Sequence, residues 1–209
     1  MNIYSYVVAH DTGFAPNPFH GYCTLACCKP QIRSCAAKGD WVVGLTPKSA
    51  GNRIVYLMRV DDVMESFSEY WFDPRFKAKK PTYTGGIRRK CGDNIYEPLA
   101  SGGYRQLRSA HSDGDAENED NKAHDLGGKR VLVSETFAYF GCKALPLPPE
   151  LQSLMVKRGH RSRFSDAVKA EFIRFAGSVG FGVHGAPRRW PNGDDSWRQG
   201  CGWKPRKRK

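Results

Sequence analysis

The sequence of 209 residues predicts a small α+β protein, a compact β-barrel with short helices between its strands and helices at its C-terminal end. Three observations point there. Short β-branched and aromatic runs recur up to Phe140, as in Ile3–Ala9 (IYSYVVA), Trp41–Leu45 (WVVGL) and Arg130–Ser134 (RVLVS). Helical spacing of apolar residues is clear only late, at Asp166–Val179, where Ala167, Ala170, Phe172, Ile173 and Ala176 repeat and Gly177 and Gly180 mark the end. The regular alternation of strand and helix that a doubly wound sheet requires is missing.

In chain order, Ile3–Ala9 is the first strand. The segment Thr12–Asp40 is rich in Gly, Pro and Cys. Gly13, Pro16 and Pro18 oppose regular structure there. A short helix fits within Cys23–Ala37 only if Pro30 lies in its first turn. A plain connector needs only a few residues. This one holds Asn17, His20, Cys23, Thr24, Cys27, Cys28, Lys29 and Arg33, so it is expected to line a site. Trp41–Leu45 is the second strand, and Arg53–Met64 the third, with Ile54, Tyr56, Met58 and Val60 on one face. Ser66–Phe76 reads as a short helix with Ser66 or Ser68 as N-cap and Pro74 near its end. Lys77–Cys91 is expected as a basic exposed loop, with extended pieces at Asn94–Tyr96 and Tyr104–His111. Arg130–Ser134 is a strong strand, and a helix begins at Glu150. The domain organisation expected is a barrel over 1–150 containing an acidic mobile loop at 112–128, a helical extension at 151–185, and a basic disordered tail at 186–209.

No apolar run approaches the ~18 residues of a membrane helix. The N-terminus lacks the basic region of a signal peptide, so a cytoplasmic protein without membrane contact is expected. The net charge of +12 is uneven. Residues 74–108 hold nine Lys/Arg against two acids, and 157–209 hold fourteen against four, while Asp113–Asp125 holds six acids and one Lys. Two basic blocks flanking an acidic loop predict a polyanion partner, nucleic acid first. The seven cysteines are an odd number, and without a secretion signal they are expected as reduced thiols. Cys23, Cys27 and Cys28 invite a zinc reading, but C-x3-CC lacks the second half of a ligand set; small buried thiols are the other account. No dinucleotide fingerprint, Walker A or zinc-deaminase pattern occurs, so neither cofactor nor metal is expected.

Several stretches together carry a likeness: GFAPNPFHGYCTLACCKPQIR at 13–33, KGDWVVG at 38–44, YWFDPRF at 70–76, GDNIY at 92–96, the pair Ser109-x-His111, and VLVSETFAYFG at 131–141. On these the sequence resembles the nucleotide modification associated domain of type 2 and, more distantly, the PUA-like barrels (EVE, ASCH and YTH domains). The resemblance implies association with DNA bearing modified bases in bacterial or phage modification and defence systems, and a base flipped into a pocket. Partner proteins of such a system are a further expectation.

A reader of that kind needs stacking aromatics, polar groups for the base edge, and cations for phosphates. For the base pocket the sequence offers Asn17, Thr24, Lys29, Asp40, Trp41, Trp71, Asn94, Tyr96, Ser109 and His111. For the nucleic-acid backbone it offers Arg33, Arg88, Arg89, Lys90, Arg105, Arg188 and Arg189. An enzyme remains the alternative. Cys23 or Cys28 beside His20 or His111 would make a nucleophile and base, and Asp93 or His111 is a candidate general base, so Cys23, His111 and Asp93 are the catalytic candidates. An interaction module of a modification or restriction complex is the third reading.

Overall fold

The computed structural model describes residues 1–190. In chain order the elements are β1 (Ile3–Val7), β2 (Cys23–Leu25), α1 (Pro30–Cys35), β3 (Trp41–Leu45), β4 (Ile54–Arg59), β5 (Asp62–Met64), α2 (Phe67–Phe72), α3 (Ile87–Lys90), β6 (Tyr96–Pro98), β7 (Tyr104–Gln106), α4 (Glu119–Leu126), β8 (Val131–Ser134), β9 (Phe137–Tyr139), β10 (His160–Arg161), α5 (Asp166–Ser178) and β11 (Gly182–Val183). Short 3-10 turns lie at Lys48–Ala50, Pro74–Lys79, Gly141–Lys143 and Pro149–Leu154. The structure mixes helices and several small sheets, compatible with the small α+β fold expected from the sequence. The strand orders close no barrel among the described residues. Most of the expected basic tail, 191–209, lies outside the described residues.

The chain divides into two compact units. The first takes Met1–Thr12, Trp41–Met58 and the chain from Phe137 onward. It carries a six-stranded sheet in the order β10-β1-β3-β4-β9-β11. β1 and β3 run parallel with Ile3 opposite Trp41, β9 is antiparallel to β4, and β11 is parallel to β9. Ile3, Trp41, Val43, Leu45 and Leu57 from the strands meet Leu151, Leu154, Phe172 and Ala176 in one core. Ser165 caps α5 by accepting from the Val168 amide. The buried face of α5 is Phe172 and Ala176, joined by Val168, Phe175 and Val179. Ala167, Ala170 and Ile173, expected on that face, are exposed. The sequence read the helix and its buried Phe172 and Ala176 correctly, but the stripe it drew through them also took in three exposed residues.

The second unit takes Gly13–Asp40 and Arg59–Thr136. It holds the antiparallel sheet β2-β8-β5 and the hairpin β6-β7. Phe14, Cys27, Phe67, Tyr70, Phe76, Ile95, Tyr96 and Val131 lie together in its core. The run Arg53–Met64, expected as one strand, is two: β4 pairs with β9, whereas β5 pairs with β8. The break lies at Asp61, whose carboxylate accepts the Glu135 and Thr136 amides at 2.9 and 2.8 Å. Ser66 caps α2 as expected, accepting from the Glu69 amide at 3.0 Å. The loop expected at Lys77–Cys91 contains α3 and a fully buried lysine, Lys79.

Within the acidic segment 112–128, expected as a mobile loop, Glu119–Leu126 form α4. Asn118 caps α4, accepting from the Asn121 amide at 2.8 Å, and Glu119 and Asp120 occupy its first turn, where carboxylates meet the positive helix end. Asp113 holds Asn118 at 3.0 Å, and Asp115 pairs with Arg108 at 2.9 Å. Charge that composition assigns to solvent is spent on local partners. No helix among the described residues is long and apolar enough to cross a membrane.

The observed register of α5 makes a direct prediction. Phe172→Ala should lower unfolding free energy by about 3 kcal/mol. Ile173→Ala, on the exposed side, should change it by under about 0.5 kcal/mol. Urea denaturation of the two variants separates the observed stripe from the one read in the sequence.

Candidate functional site

Between β2 and α1 the backbone makes a sharp turn through two consecutive left-handed residues, Cys28 (φ 61°) and Lys29 (φ 44°, ψ 50°). Neither is glycine, and a non-glycine residue held there costs on the order of 1 kcal/mol. Pro30 then opens α1 with its φ already suited to a first turn. Two buried groups brace the turn. The Cys28 amide donates to Asp125 Oδ1 at 2.6 Å, and the Cys28 carbonyl accepts from Arg33 Nε at 2.8 Å. The consequence is a half-exposed Cys28 side chain standing off a strand-turn-helix elbow, while its neighbour Cys27 is fully buried.

The Cys28 sulfur lies 3.4 Å from His111 Nε2, and the opposite ring nitrogen, Nδ1, lies 2.7 Å from Asp125 Oδ2. Asp125 is fully buried in the last turn of α4. A carboxylate is disfavoured at that end of a helix, so its partners must hold it. Besides the Cys28 amide and the imidazole, the Tyr96 hydroxyl donates to Oδ2 at 2.8 Å. The His111 ring rests edge-on against Phe14, with centroids 4.9 Å apart. The His111 carbonyl accepts from Asn121 Nδ2 at 3.0 Å and Gln106 Nε2 at 3.3 Å, so ring and backbone are both fixed.

The electrostatics follow from this contact set. Burial pulls the His111 pKa down, but its hydrogen bonds to Asp125 and Cys28, with their charges, outweigh burial and hold it up at about 10. Burial pushes Asp125 up; the hydrogen bond and charge of His111, the Cys28 amide and the Tyr96 hydroxyl overcome it and hold the carboxyl below its ordinary value. At neutral pH the imidazole is therefore a cation set between a carboxylate and a sulfur. A sulfur, an imidazole and a buried carboxylate in series are the parts of a nucleophile, its acid–base partner and the group that orients that partner.

Other candidates from the sequence occupy a second buried network. Asp93 accepts from the Thr24 hydroxyl at 2.6 Å and the Tyr70 hydroxyl at 2.8 Å. Lys79 donates to Asn17 Oδ1 at 2.8 Å and to the Asn17 and Tyr22 carbonyls, each at 3.0 Å. Asn17 Nδ2 reaches the Cys91 carbonyl at 2.7 Å, and Asn94 Nδ2 the Tyr70 carbonyl at 3.0 Å. Burial pushes Asp93 up and brings Lys79 down to about 8. Asn17, Thr24, Asp93 and Asn94 are all buried with internal partners, so they brace the second unit rather than present a base-reading edge. Cys23 is buried beside them, and burial pushes its thiol up to about 12, far from a nucleophile's range.

The remaining candidates are dispersed. Arg33, expected on a phosphate backbone, is fully buried. Asp40 closes its own turn, accepting from the Ala37 amide at 3.1 Å. Trp41 lies in the first unit, packed edge-on against Phe172 at 5.4 Å. Arg188 and Arg189 belong to that unit too, their amides bonded to Asp11 at 3.0 and 2.9 Å. Ser109 Oγ accepts the His111 amide at 3.2 Å and so shapes the histidine loop. Trp71 is half-exposed beneath Lys80 Nζ at 3.7 Å. Arg89 and Lys90 are exposed on α3, Arg88 lies over Phe19 at 5.9 Å, and Arg105 pairs with Glu97. Sequence reasoning named the Cys28–His111 pairing as one of several, and it missed Asp125. The signal for Asp125 was the Asn118 cap with acids behind it, which marks a helix where a loop was expected.

Cys27, His111 and Asp125 also place one ligand atom each within 4.8 Å of one another. As a metal site the set is compromised by its own bonds: Nδ1 faces Oδ2, both carboxylate oxygens accept hydrogens, and burial pushes the Cys27 thiol well up. The hydrogen-bonded triad accounts for these atoms more fully.

The His111–Asp125 pair gives a pH signature. The contribution from His111 is fully present below about pH 6.5 and is lost as pH rises through about 10. The contribution from Asp125 is fully present above about 3.8 and is lost as pH falls below it. Asp125→Asn should cost about 3 kcal/mol near pH 6 and flatten the alkaline decline. Urea midpoints of both proteins measured from pH 5 to about 10 check this.

A family model described as nucleotide modification associated domain 2 matches residues 1–194, the whole of the described chain with the triad inside it. No curated protein and no solved structure matches. The matched span leaves only the last residues of the sequence outside, and the chain belongs to the nucleotide modification associated domain 2 family.

Proposed function

We propose that this protein is a thiol enzyme acting on a modified nucleotide or nucleobase, with Cys28 as nucleophile, His111 as acid–base partner and Asp125 as the carboxylate that orients it. The observation that carries the reading is the Cys28 sulfur 3.4 Å from one imidazole nitrogen while the other lies 2.7 Å from a buried carboxylate. The family description supplies the word nucleotide; the triad supplies the chemistry.

Such a triad suits a carbonyl carried by the nucleotide as an ester or amide. Cysteine attacks as the thiolate. The S–C bond forms, and the carbonyl electron pair moves onto oxygen. When the pair returns, the bond to the leaving amine or alcohol breaks and His111 Nε2–H supplies that group's proton. The neutral imidazole then takes a proton from water, which attacks the thioester, and the thiolate departs. Asp125 keeps the ring turned so that Nε2 serves both transfers.

A second reading, a PUA-like reader of a modified or flipped base in DNA, draws on one surface feature. Arg89 and Lys90 stand exposed on α3, and Trp71 lies under Lys80. Its mark would be duplex binding that depends on the modification at several salt concentrations and survives loss of Cys28.

Iodoacetamide labelling with peptide mapping tests the enzyme reading, because Cys35 is exposed in the same unit and serves as an internal reference. At pH 7, Cys28 should react about ten times faster than Cys35, and His111→Asn should remove the difference. Equal rates in the wild type would sink the triad. Cys28→Ala should then abolish any turnover seen by mass spectrometry against a panel of ester- and amide-bearing nucleotides.

A further inference from the structure

Arg33 has no role in that chemistry, yet it is the largest fully buried side chain of the second unit. A buried guanidinium is expensive unless its donors are met. Here they are met by backbone carbonyls, with no carboxylate directly bonded: Nε donates to Cys28 O at 2.8 Å, one terminal nitrogen to Arg130 O at 2.6 Å and the other to Asp125 O at 2.5 Å. These carbonyls belong to the nucleophile, to the orienting carboxylate's own residue, and to the chain just before β8. The plane of the guanidinium also lies against Phe67, 5.4 Å from its ring centre. A surface arginine recruited for phosphate has none of these features.

The space for this clamp is set by Gly128. A Cβ there would lie 2.6 Å from Arg33 Cζ and 2.6 Å from one terminal nitrogen, closer than side-chain carbons approach. Gly128 is itself buried, and its amide donates to Asp125 O at 3.1 Å. The glycine therefore lets the guanidinium reach the end of α4. On the other side, Arg33 lies on α1, directly after the elbow whose Cys28 carbonyl it holds.

Building on the triad reading, we infer that Arg33 is a positioning residue: it sets the Cys28 sulfur against His111 by tying the left-handed elbow to the end of the helix that carries Asp125, and Gly128 is the space that allows it. The elbow's strain explains the need. Two consecutive left-handed residues relax unless their peptide groups are held, and the two peptide groups flanking the Cys28 Cα are held, one at the Cys28 amide by Asp125 and the next at the Cys28 carbonyl by Arg33. The charged and titratable groups coupled to the sulfur are His111, Lys29, Cys27 and Arg33 itself, and Arg33 makes no hydrogen bond to the side-chain heads of the other three. Its hydrogen bonds act through the backbone, while its charge also couples through space to Cys28 and Asp125, and Arg33→Lys, which keeps the charge, separates the two routes.

The test is the pH profile of Cys28 alkylation in the full chain, with Cys35 as the internal reference. Arg33→Met removes the donors, Arg33→Lys keeps the charge but has no planar fork, and Gly128→Ala displaces the same guanidinium from the far side. In folded Arg33→Met and Gly128→Ala the Cys28 rate should fall by about tenfold, and its profile should move onto that of Cys35. Arg33→Lys should not restore it, because one ammonium cannot meet three carbonyls set in a fork. A wild-type profile in any folded variant that lacks the fork overturns the inference while leaving the triad standing. Failure of all three variants to fold also overturns it, assigning Arg33 to stability alone. A wild-type Cys28 no faster than Cys35 instead removes the triad reading beneath it.

Discussion

The Asp125 carboxylate is the interaction on which the second unit's chemistry depends. It is fully buried, and an unpaired charge at such a position is untenable. Its hydrogens come from separate parts of the chain: the elbow through the Cys28 amide, the histidine loop through Nδ1, and β6 through the Tyr96 hydroxyl. Each donor is fixed because the carboxylate needs it, and the carboxylate is tolerable because each donor is fixed. Removing one element leaves the others with unmet polar groups, so the site is assembled together or not at all.

A second buried carboxylate in the same unit shows how environment separates roles. Asp93 also accepts two side-chain hydroxyls, from Thr24 and Tyr70, but no imidazole faces it. Its nearby cation, Lys79, is committed to carbonyls and to Asn17, and burial brings that cation down to about 8. Burial prevails at Asp93 and raises it, whereas at Asp125 burial is again the largest cause but His111, the Cys28 amide and the Tyr96 hydroxyl together outweigh it and lower it. The two carboxylates have similar accessibility and opposite electrostatic character. One holds the Thr24 and Tyr70 hydroxyls; the other holds the His111 ring.

What could be read from the sequence follows how local each cause is. Trp41–Leu45 was legible to the residue, because four apolar residues about a single glycine, between a Gly-Asp turn and a proline, admit little else. The cap of α2 was legible only as Ser66 or Ser68, two serines either of which can accept from a first-turn amide, and Ser66 holds the position. The split of Arg53–Met64 was not, since it depends on Asp61 meeting amides more than seventy residues away. Asp125 was hidden by composition: an acid-rich stretch reads as solvated loop unless its acids find partners, and here Arg108, Asn118 and His111 supply them. Arg33 was misread for a related reason. Positive charge in a basic chain suggests phosphate, and nothing local reveals three carbonyls waiting in the interior.

The contrast between Cys27 and Cys28 shows how little sequence separates a core thiol from a half-buried one set against an imidazole. They are neighbours in a segment where cysteines invite either metal or redox readings. Cys27 turns inward, its sulfur 3.8 Å from the Asp93 carbonyl, and burial pushes its thiol well up. At Cys28 the backbone enters the left-handed region and turns the next sulfur toward His111. No side-chain property distinguishes the two residues; the sign of one dihedral does. That dihedral is sustained by hydrogen bonds at both ends of the Cys28 residue, and their partners, Asp125 and Arg33, lie in the α4 turn and on α1. The position proposed as the nucleophile is thus held by two buried charged side chains acting on the two peptide groups that flank it, which is why it becomes visible only when the tertiary structure is assembled.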